Sequence, residues 1–395
     1  MTLPPNGLCC ACGACTAACP KNCIELRENE RRERRPQIAA ERCVDCGACV
    51  KACPMQPSAA AREEGEAPLF FSLRLSDAAA RRASTSGGAF SAIVRAVCRE
   101  GDAVYGAAYR DHGRIAHVRR QLPETLAPLQ KSKYGPSEIA PECYRQIGAD
   151  LREGRTVVFS GLPCQTAAVK RLYPKAERLF TVELVCHGTP EAWIYADYLA
   201  RLEARHHSPI EAIDFRDKSR GWENPFLTIR FQSGRRYRRL AFAGDDPYMQ
   251  AYLGGYLMME ACYQCPFAQM PRCADFTLGD YWLAGEAQAA ASARDGGVSI
   301  VLANSARAKA LMEKLPQFAQ VQPVDPGPAM AANAQLVRPS QRHEQAAAFQ
   351  QALGREGWET AAARFLRRRP AWLRLLMQLP DARMKRGIKR LLRRR

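Results

Sequence analysis

"CCACGACTAACP" (residues 9–20) and "CVDCGACVKACP" (residues 43–54) are two versions of one pattern. Cys9, Cys12, Cys15 and Cys19-Pro20 give C-x2-C-x2-C-x3-C-P, and Cys43, Cys46, Cys49 and Cys53-Pro54 give it again. Three cysteines at such spacing wrap a tight loop over three corners of a cube. The fourth corner faces away and is met by a cysteine that has left that loop. Gly13 and Gly47 let the backbone turn close to the sulfurs.

The spacing predicts two 4Fe-4S clusters that exchange their fourth ligands. Cys9, Cys12, Cys15 and Cys53 are assigned to one cluster, and Cys43, Cys46, Cys49 and Cys19 to the other. Zinc sites usually draw on cysteine pairs, not on runs of four that close with proline. Cys10 and Cys23 fall outside the pattern and read as packing residues. A dicluster ferredoxin-type module moves single electrons and has no substrate chemistry of its own. The rest of the chain is expected to hold what uses them.

The chain has 395 residues, 47% of them hydrophobic, which is enough for two or three domains and a substantial core. Seventeen cysteines with no apolar leader to indicate secretion argue for metal binding in a reducing compartment rather than disulfides. No apolar run is long enough for a membrane helix, so a cytoplasmic protein is expected. Of the net charge of +18, residues 361–395 carry +12, from thirteen Lys/Arg against Asp381. The body is only mildly basic.

The expected fold class is α/β with α+β elements: a dicluster ferredoxin-like domain, a mixed α/β domain, and a helical basic tail. "RENERRERRP" reads as an exposed, turn-like connection, and the Ala-, Glu- and Pro-rich stretch at 56–68 reads as a linker. The division drawn is 1–60, a linker at 61–72, the two parts of the main domain at 73–150 and 151–330, and a tail at 331–395. "AVYGAAYR" and "GRIAHVRR" predict a hairpin turning at Asp111-His112-Gly113. "RTVVFSGLPCQTAAVKRLY" (155–173) predicts strand, tight loop and helix, and "RLFTVELVCHGTPEAWIYADYLARLEA" repeats that order.

Six motifs then follow in order: "STSGGAF" (84–90), "SKYGPS" (132–137), "FSGLPCQ" (159–165), "LVCHGTP" (184–190), "FRDKSRGW" (215–222) and "CYQCPF…RCADFTLGDYW" (262–282). Together they resemble the coenzyme F420 hydrogenase/dehydrogenase beta-subunit family over roughly residues 1–310. The resemblance implies a non-covalent FAD, an additional 4Fe-4S cluster in the flavin domain, and an α/β body. Archaeal members exchange hydride between FAD and coenzyme F420, while relatives in phototrophs use reduced ferredoxin to reduce chlorophyll precursors. The family thus fixes cofactors better than substrate.

No G-x-G-x-x-G follows a strand, so a Rossmann site is not indicated. Ser84, Thr85, Ser86, Gly87 and Gly88 stand at a helix start, where backbone N–H groups and the helix dipole favour a phosphate. On their own these residues equally describe a plain cap; the resemblance adds the flavin phosphate. Lys133 and Tyr134 are candidates for a cation and a ring beside the flavin, with Gly161 at a strand end nearby.

Cys262, Cys265 and Cys273 supply three ligands of the additional cluster and need a fourth. Cys164 follows an apolar strand at the start of a helix, where ligands collect and where a helix N-terminus lowers a thiol pKa. Cys186, at a similar strand end before His187, is the runner-up. Its alternative role is a small residue beneath the flavin.

The expected function is an iron–sulfur flavoprotein oxidoreductase with three 4Fe-4S clusters and FAD, acting on a small-molecule substrate or an F420-like carrier. The expected electron donor is a ferredoxin or flavodoxin, with Arg27–Arg35 as a basic docking surface. Two rivals stand beside it: an electron-relay beta subunit that needs a catalytic partner chain, and an iron–sulfur redox sensor or nucleic-acid binder. No nucleic-acid-binding module is visible. In the tail, Met384, Ile388, Leu391 and Leu392 share one helical face ringed by Lys and Arg, a pattern suited to peripheral contact with the inner membrane face.

Overall fold

The computed structural model describes residues 3–4, 8–56, 67–219, 221–242, 244–282 and 296–367. The amphipathic helix expected in the tail lies outside the described residues, as does most of the linker.

The N-terminal module is built from two short helices, Ala14–Ala18 and Ala48–Ala52, and a hairpin of β1 (Ile24–Glu28) and β2 (Arg34–Ile38). Each helix starts after a left-handed glycine, Gly13 at φ 77° and Gly47 at φ 72°. The expected exposed connection is therefore the tip and second strand of a hairpin. Asn29 closes it: its Oδ1 accepts from Arg31 N and Glu33 N.

The body contains β3 (Leu69–Leu75), β4 (Ala103–Tyr109), β5 (Ile115–Gln121), β6 (Ser137–Glu138), β7 (Val157–Gly161) and β8 (Leu179–Leu184). Next come β9 (Ile210–Asp217), β10 (Phe226–Phe231), β11 (Arg236–Leu240), β12 (Phe276–Asp280), β13 (Ser299–Ala303) and β14 (Ala319–Pro323). Nine of these form one sheet in the order β14-β3-β13-β12-β8-β7-β4-β5-β6, and β9–β11 form a separate antiparallel sheet. Neighbours β4, β7, β8 and β12 run parallel. Val157, Val158 and Phe159 of β7 are fully buried, as a central parallel strand covered on both faces requires.

The boundary drawn at 150/151 cuts this sheet, because Ala103–Tyr105 pair with Val157–Phe159 across it. The linker also ends earlier than 72: Leu69 begins β3, whose alternating apolar residues bury between β13 and β14. Nor is 331–365 part of a tail. Helix Ala346–Phe365 sets Phe349 and Trp358 into the core beside Tyr198 and Tyr248.

The module is seated on the body. Cys12, Ala14 and Ala52 share a buried cluster with Tyr105, Tyr144 and Phe159, and Tyr144 OH donates to Cys12 O at 2.7 Å. On the hairpin side, Arg32 pairs with Asp197 at 3.0 Å, Arg34 with Glu138 at 3.0 Å and Arg35 with Glu191 at 2.8 Å. Three arginines of the Arg27–Arg35 stretch are thus paired within the chain.

Gly87 shows how tightly the expected phosphate loop is held. A Cβ there would come within 2.1 Å of Leu73 O and 2.6 Å of Ser299 N, both backbone atoms of neighbouring strands. Gly87→Ala is therefore expected to lose about 2 kcal/mol or more of stability in cofactor-free protein, through overpacking. Thermal unfolding checks this; an unchanged melting temperature would show that the strands yield.

Candidate functional site

Parallel strands end at one edge of a sheet, and ligands collect outside their carboxyl ends. Here β7 ends at Gly161 and leads into helix Pro163–Leu172, which carries Cys164. β8 ends at Leu184, just before Cys186 and His187, and β12 ends at Asp280. A cavity of about 380 Å³ opens along this edge. Its walls include Ser84, Thr85, Ser86, Gly88, Lys133, Tyr134 and Gly161, seven of the eight expected flavin residues. Gly87 is not among them, for the packing reason given above.

Helix Ala89–Val97 begins at this wall, with left-handed Gly88 (φ 88°) as its N-cap and no side-chain cap. Lys218 Nζ donates to the carbonyls of Arg81, Ser84 and Gly296 and so ties the loop to β9. Burial pushes the Lys218 pKa down to about 7. Lys133, the candidate cation, lines the cavity and is tied to its own turn. Its Nζ donates to Gln130 O at 2.8 Å and Lys131 O at 3.1 Å, and burial holds its pKa down at about 8. Tyr134, the candidate ring, lines the cavity and is set against Phe215 and Tyr252.

His117 lies in the cavity wall on Phe159, with its Nε2 at 3.1 Å from Ser160 O and its Nδ1 at 3.1 Å from Ser137 Oγ. A carbonyl only accepts, so Nε2 carries the proton and Nδ1 accepts from the serine. Gln165 Nε2 donates in turn to Ser137 Oγ. Burial lowers the His117 pKa to about 4 and keeps the ring neutral.

The cysteines fall into three groups. Cys9, Cys12, Cys15 and Cys53 ring one small cavity, and Cys19, Cys43, Cys46 and Cys49 ring another. In each set one thiol arrives from the other repeat, and Cys10 and Cys23, outside the spacing, line the same two cavities. Among the described residues, no three His, Cys, Asp or Glu side chains converge closely enough to hold a single ion.

The third group lies between the module and the large cavity. Cys164, Cys265 and Cys273 pack in one patch with Met55 and Phe267. Cys262 accepts from Thr189 N at 3.4 Å, and Cys186 and Cys265 are close enough to perturb its charge. Cys186 also lines the large cavity. Both candidates for the fourth position are thus brought to the group, Cys164 on the module side and Cys186 on the cavity side.

One expectation about Cys164 fails. A hydrogen bond with Cys10 lowers its pKa most, but burial and repulsion from Cys186, Cys265 and Cys12 together exceed it, and the thiol rises to about 11. The helix N-terminus does not prepare a thiolate; iron has to supply that charge, as metal binding generally does.

Other residues went unassigned in the sequence. Cys10, read as packing, is packed with Cys53, Cys164, Cys265 and Cys273 and hydrogen-bonds to both Cys12 and Cys164. Glu183 is fully buried, paired with Arg272 at 2.5 Å, and accepts from Cys273 Sγ at 2.9 Å. Arg216 lines the large cavity. "FRDKSRGW" contained it and "VELVC" contained Glu183, but neither motif announced a role. Cys23 lies 3.3 Å from Cys19 Sγ, while Cys143 is buried core.

Residues 8–56 match the 4Fe-4S dicluster domain family, and residues 154–326 match the family described as the C terminus of the coenzyme F420 hydrogenase/dehydrogenase beta subunit. The chain is thus similar to that beta-subunit family over the middle of its length. It is an iron–sulfur electron-transfer protein with the dicluster domain in front. No curated protein matches it. Among solved structures, it is similar to a chain of the F420-reducing NiFe hydrogenase complex from Methanosarcina barkeri. The two share 16% identity over 69% of this chain and 88% of that one, with a TM-score of 0.47. Among the described residues, no helix is long and apolar enough to cross a membrane.

Two outcomes are expected. Anaerobically reconstituted protein should hold about twelve irons, and Cys164→Ser about eight, with Cys186→Ser near wild type; iron and sulfide analysis decides, and the reverse pattern exchanges the two cysteines. His117 has a folded pKa below its unfolded value of 6.5, so its contribution is complete above pH 6.5 and is lost as the pH falls toward 4. Chemical denaturation should show a loss of up to about 3 kcal/mol across that window, shallower in His117→Gln. Superimposable pH profiles would remove His117 as the cause.

Proposed function

We propose that the chain is an iron–sulfur flavoprotein oxidoreductase. It would carry single electrons over three 4Fe-4S clusters to a non-covalent FAD in the large cavity and there exchange two electrons with a small substrate or an F420-like carrier. The observation that carries this reading is the position of the third cysteine group. Cys10 joins it to Cys12 of the module, and Cys186 joins it to the cavity.

The cysteine sets would hold the clusters, with Cys19, Cys43, Cys46 and Cys49 farthest from the body. Cys46 and Val44 are exposed at that far set, which makes it the entry for electrons from a ferredoxin or flavodoxin. FAD, when bound, supplies the conversion between one-electron and two-electron chemistry. The chain's own residues do the rest. Loop 84–88 and the start of helix Ala89–Val97 present backbone N–H groups to a phosphate. Tyr134, Tyr252 and Leu253 wall the space against water, and the neutral His117–Ser137–Gln165 network fixes polar groups at the cavity floor without adding charge. The volume lies within the usual range for ligand sites, roughly 300–1,000 Å³.

A second reading keeps the same cofactors but makes the chain a relay that depends on a catalytic partner. The family's description as a beta subunit favours it.

The test is anaerobic reduction of purified protein by reduced ferredoxin. Cluster bleaching should precede flavin reduction, and Cys273→Ser should slow flavin reduction by more than an order of magnitude. Direct reduction of the flavin by dithionite should be unchanged. Protein that binds clusters but no flavin would end the flavoprotein reading; turnover only with a copurifying partner chain would establish the relay.

A further inference from the structure

Arg216, on β9, is the largest fully buried side chain of the described residues. Its Nη1 donates to Asp280 Oδ2 at 2.9 Å and to Tyr134 Oη at 3.3 Å. Its Nε and Nη2 are buried and have no partner. Leaving two donors of a desolvated guanidinium unmade is costly, and native structures rarely keep such groups without a use. These are not two scattered donors. Nε and Nη2 form one edge of the guanidinium, and their N–H bonds run side by side at the spacing of two oxygens of a carboxylate or phosphate.

The surroundings place this side chain against a ligand-sized cavity. Arg216 lines the 380 Å³ cavity. Its guanidinium carbon lies 4.9 Å from the Phe242 ring centroid and 5.8 Å from that of Trp282. Trp282 is 45% exposed and Leu253 39%, and both line the same cavity, so Arg216 sits beneath its mouth. Asp280 holds the far edge of the guanidinium and fixes its plane, leaving the near edge committed to nothing in the protein.

We propose that the Nε–Nη2 edge of Arg216 is an oxyanion-recognition site that grips a carboxylate or phosphate of the molecule bound in this cavity. The inference rests on reading the cavity as the ligand site, and the oxyanion has two sources: the flavin's own phosphates or a second, anionic substrate near the mouth.

The experiment uses flavin-free, full-length protein as wild type, Arg216→Lys and Arg216→Met. Lysine keeps a charge for Asp280 and so protects the fold, but it cannot present a two-pronged edge. FAD, riboflavin (the same ring without phosphate) and inorganic pyrophosphate are titrated, followed by flavin fluorescence and, for pyrophosphate, by calorimetry. If the oxyanion is the flavin's, FAD binding weakens roughly tenfold or more in the variants, while riboflavin binding is unchanged. If it belongs to a substrate, FAD binding is unchanged, and pyrophosphate binding to the FAD-loaded protein weakens by a similar factor. Either result supports the site. Variants that match wild type for every probe overturn it. So does an equal loss for riboflavin and FAD, which would place the ring rather than an oxyanion at Arg216. Should wild type bind neither flavin, the flavoprotein reading fails separately, and the pyrophosphate titration still decides Arg216.

Discussion

Four parallel strands, β4, β7, β8 and β12, finish at one edge of the sheet, and the candidate chemistry hangs from that edge. Hydrogen bonding fixes their register, so their ends cannot shift independently. Cys164, Cys186 and Asp280 come from three different strand ends, separated by long stretches of chain, yet the sheet delivers them to one place. Polar anchors also tie the strands to the elements beside them. Asp275 accepts from Thr181 N and Oγ1 and pairs with Arg307, and Asp150 is held by Arg119, Arg155 and Tyr105. A buried carboxylate with several charge-assisted partners is strongly directional, which keeps the edge in register.

The part of the site legible in the sequence is the part encoded locally. The four-cysteine runs announce themselves because each loop needs its cysteines two residues apart, and the exchange of fourth ligands follows from the same geometry. The cavity-side loop at 84–88 and the strand–loop–helix around Cys164 are readable for the same reason: short-range polarity and glycine placement. What escaped was created by long-range pairing. Nothing near Arg216 in sequence forecasts Asp280, and nothing near Cys10 forecasts Cys164. The nine-stranded sheet was hidden too, because β3 looks like the end of a linker until β13 and β14 flank it. Helix Ala346–Phe365 looks like the start of a basic tail until Phe349 and Trp358 are seen in the core.

Lys133 shows how burial alters a role assigned from residue type alone. As a lysine beside a ligand loop it suggests a mobile cation. Surrounded by apolar walls and two carbonyls, it becomes a strut for the Gln130–Lys131 turn. The reverse holds for Arg216, whose motif gave it no role and whose environment leaves half of its guanidinium without work inside the protein.

The way the module is seated has a consequence for how electrons move. Tyr144 at Cys12, the arginine pairs of the hairpin and the contact of Cys10 with Cys164 lie at separate points of one interface, so the module is pinned in both position and rotation. It is not a swinging arm that must search for its acceptor. In the proposed function, transfer between module and body would be tunnelling across a gap set by packing, indifferent to solvent viscosity and to the length of the connecting segment.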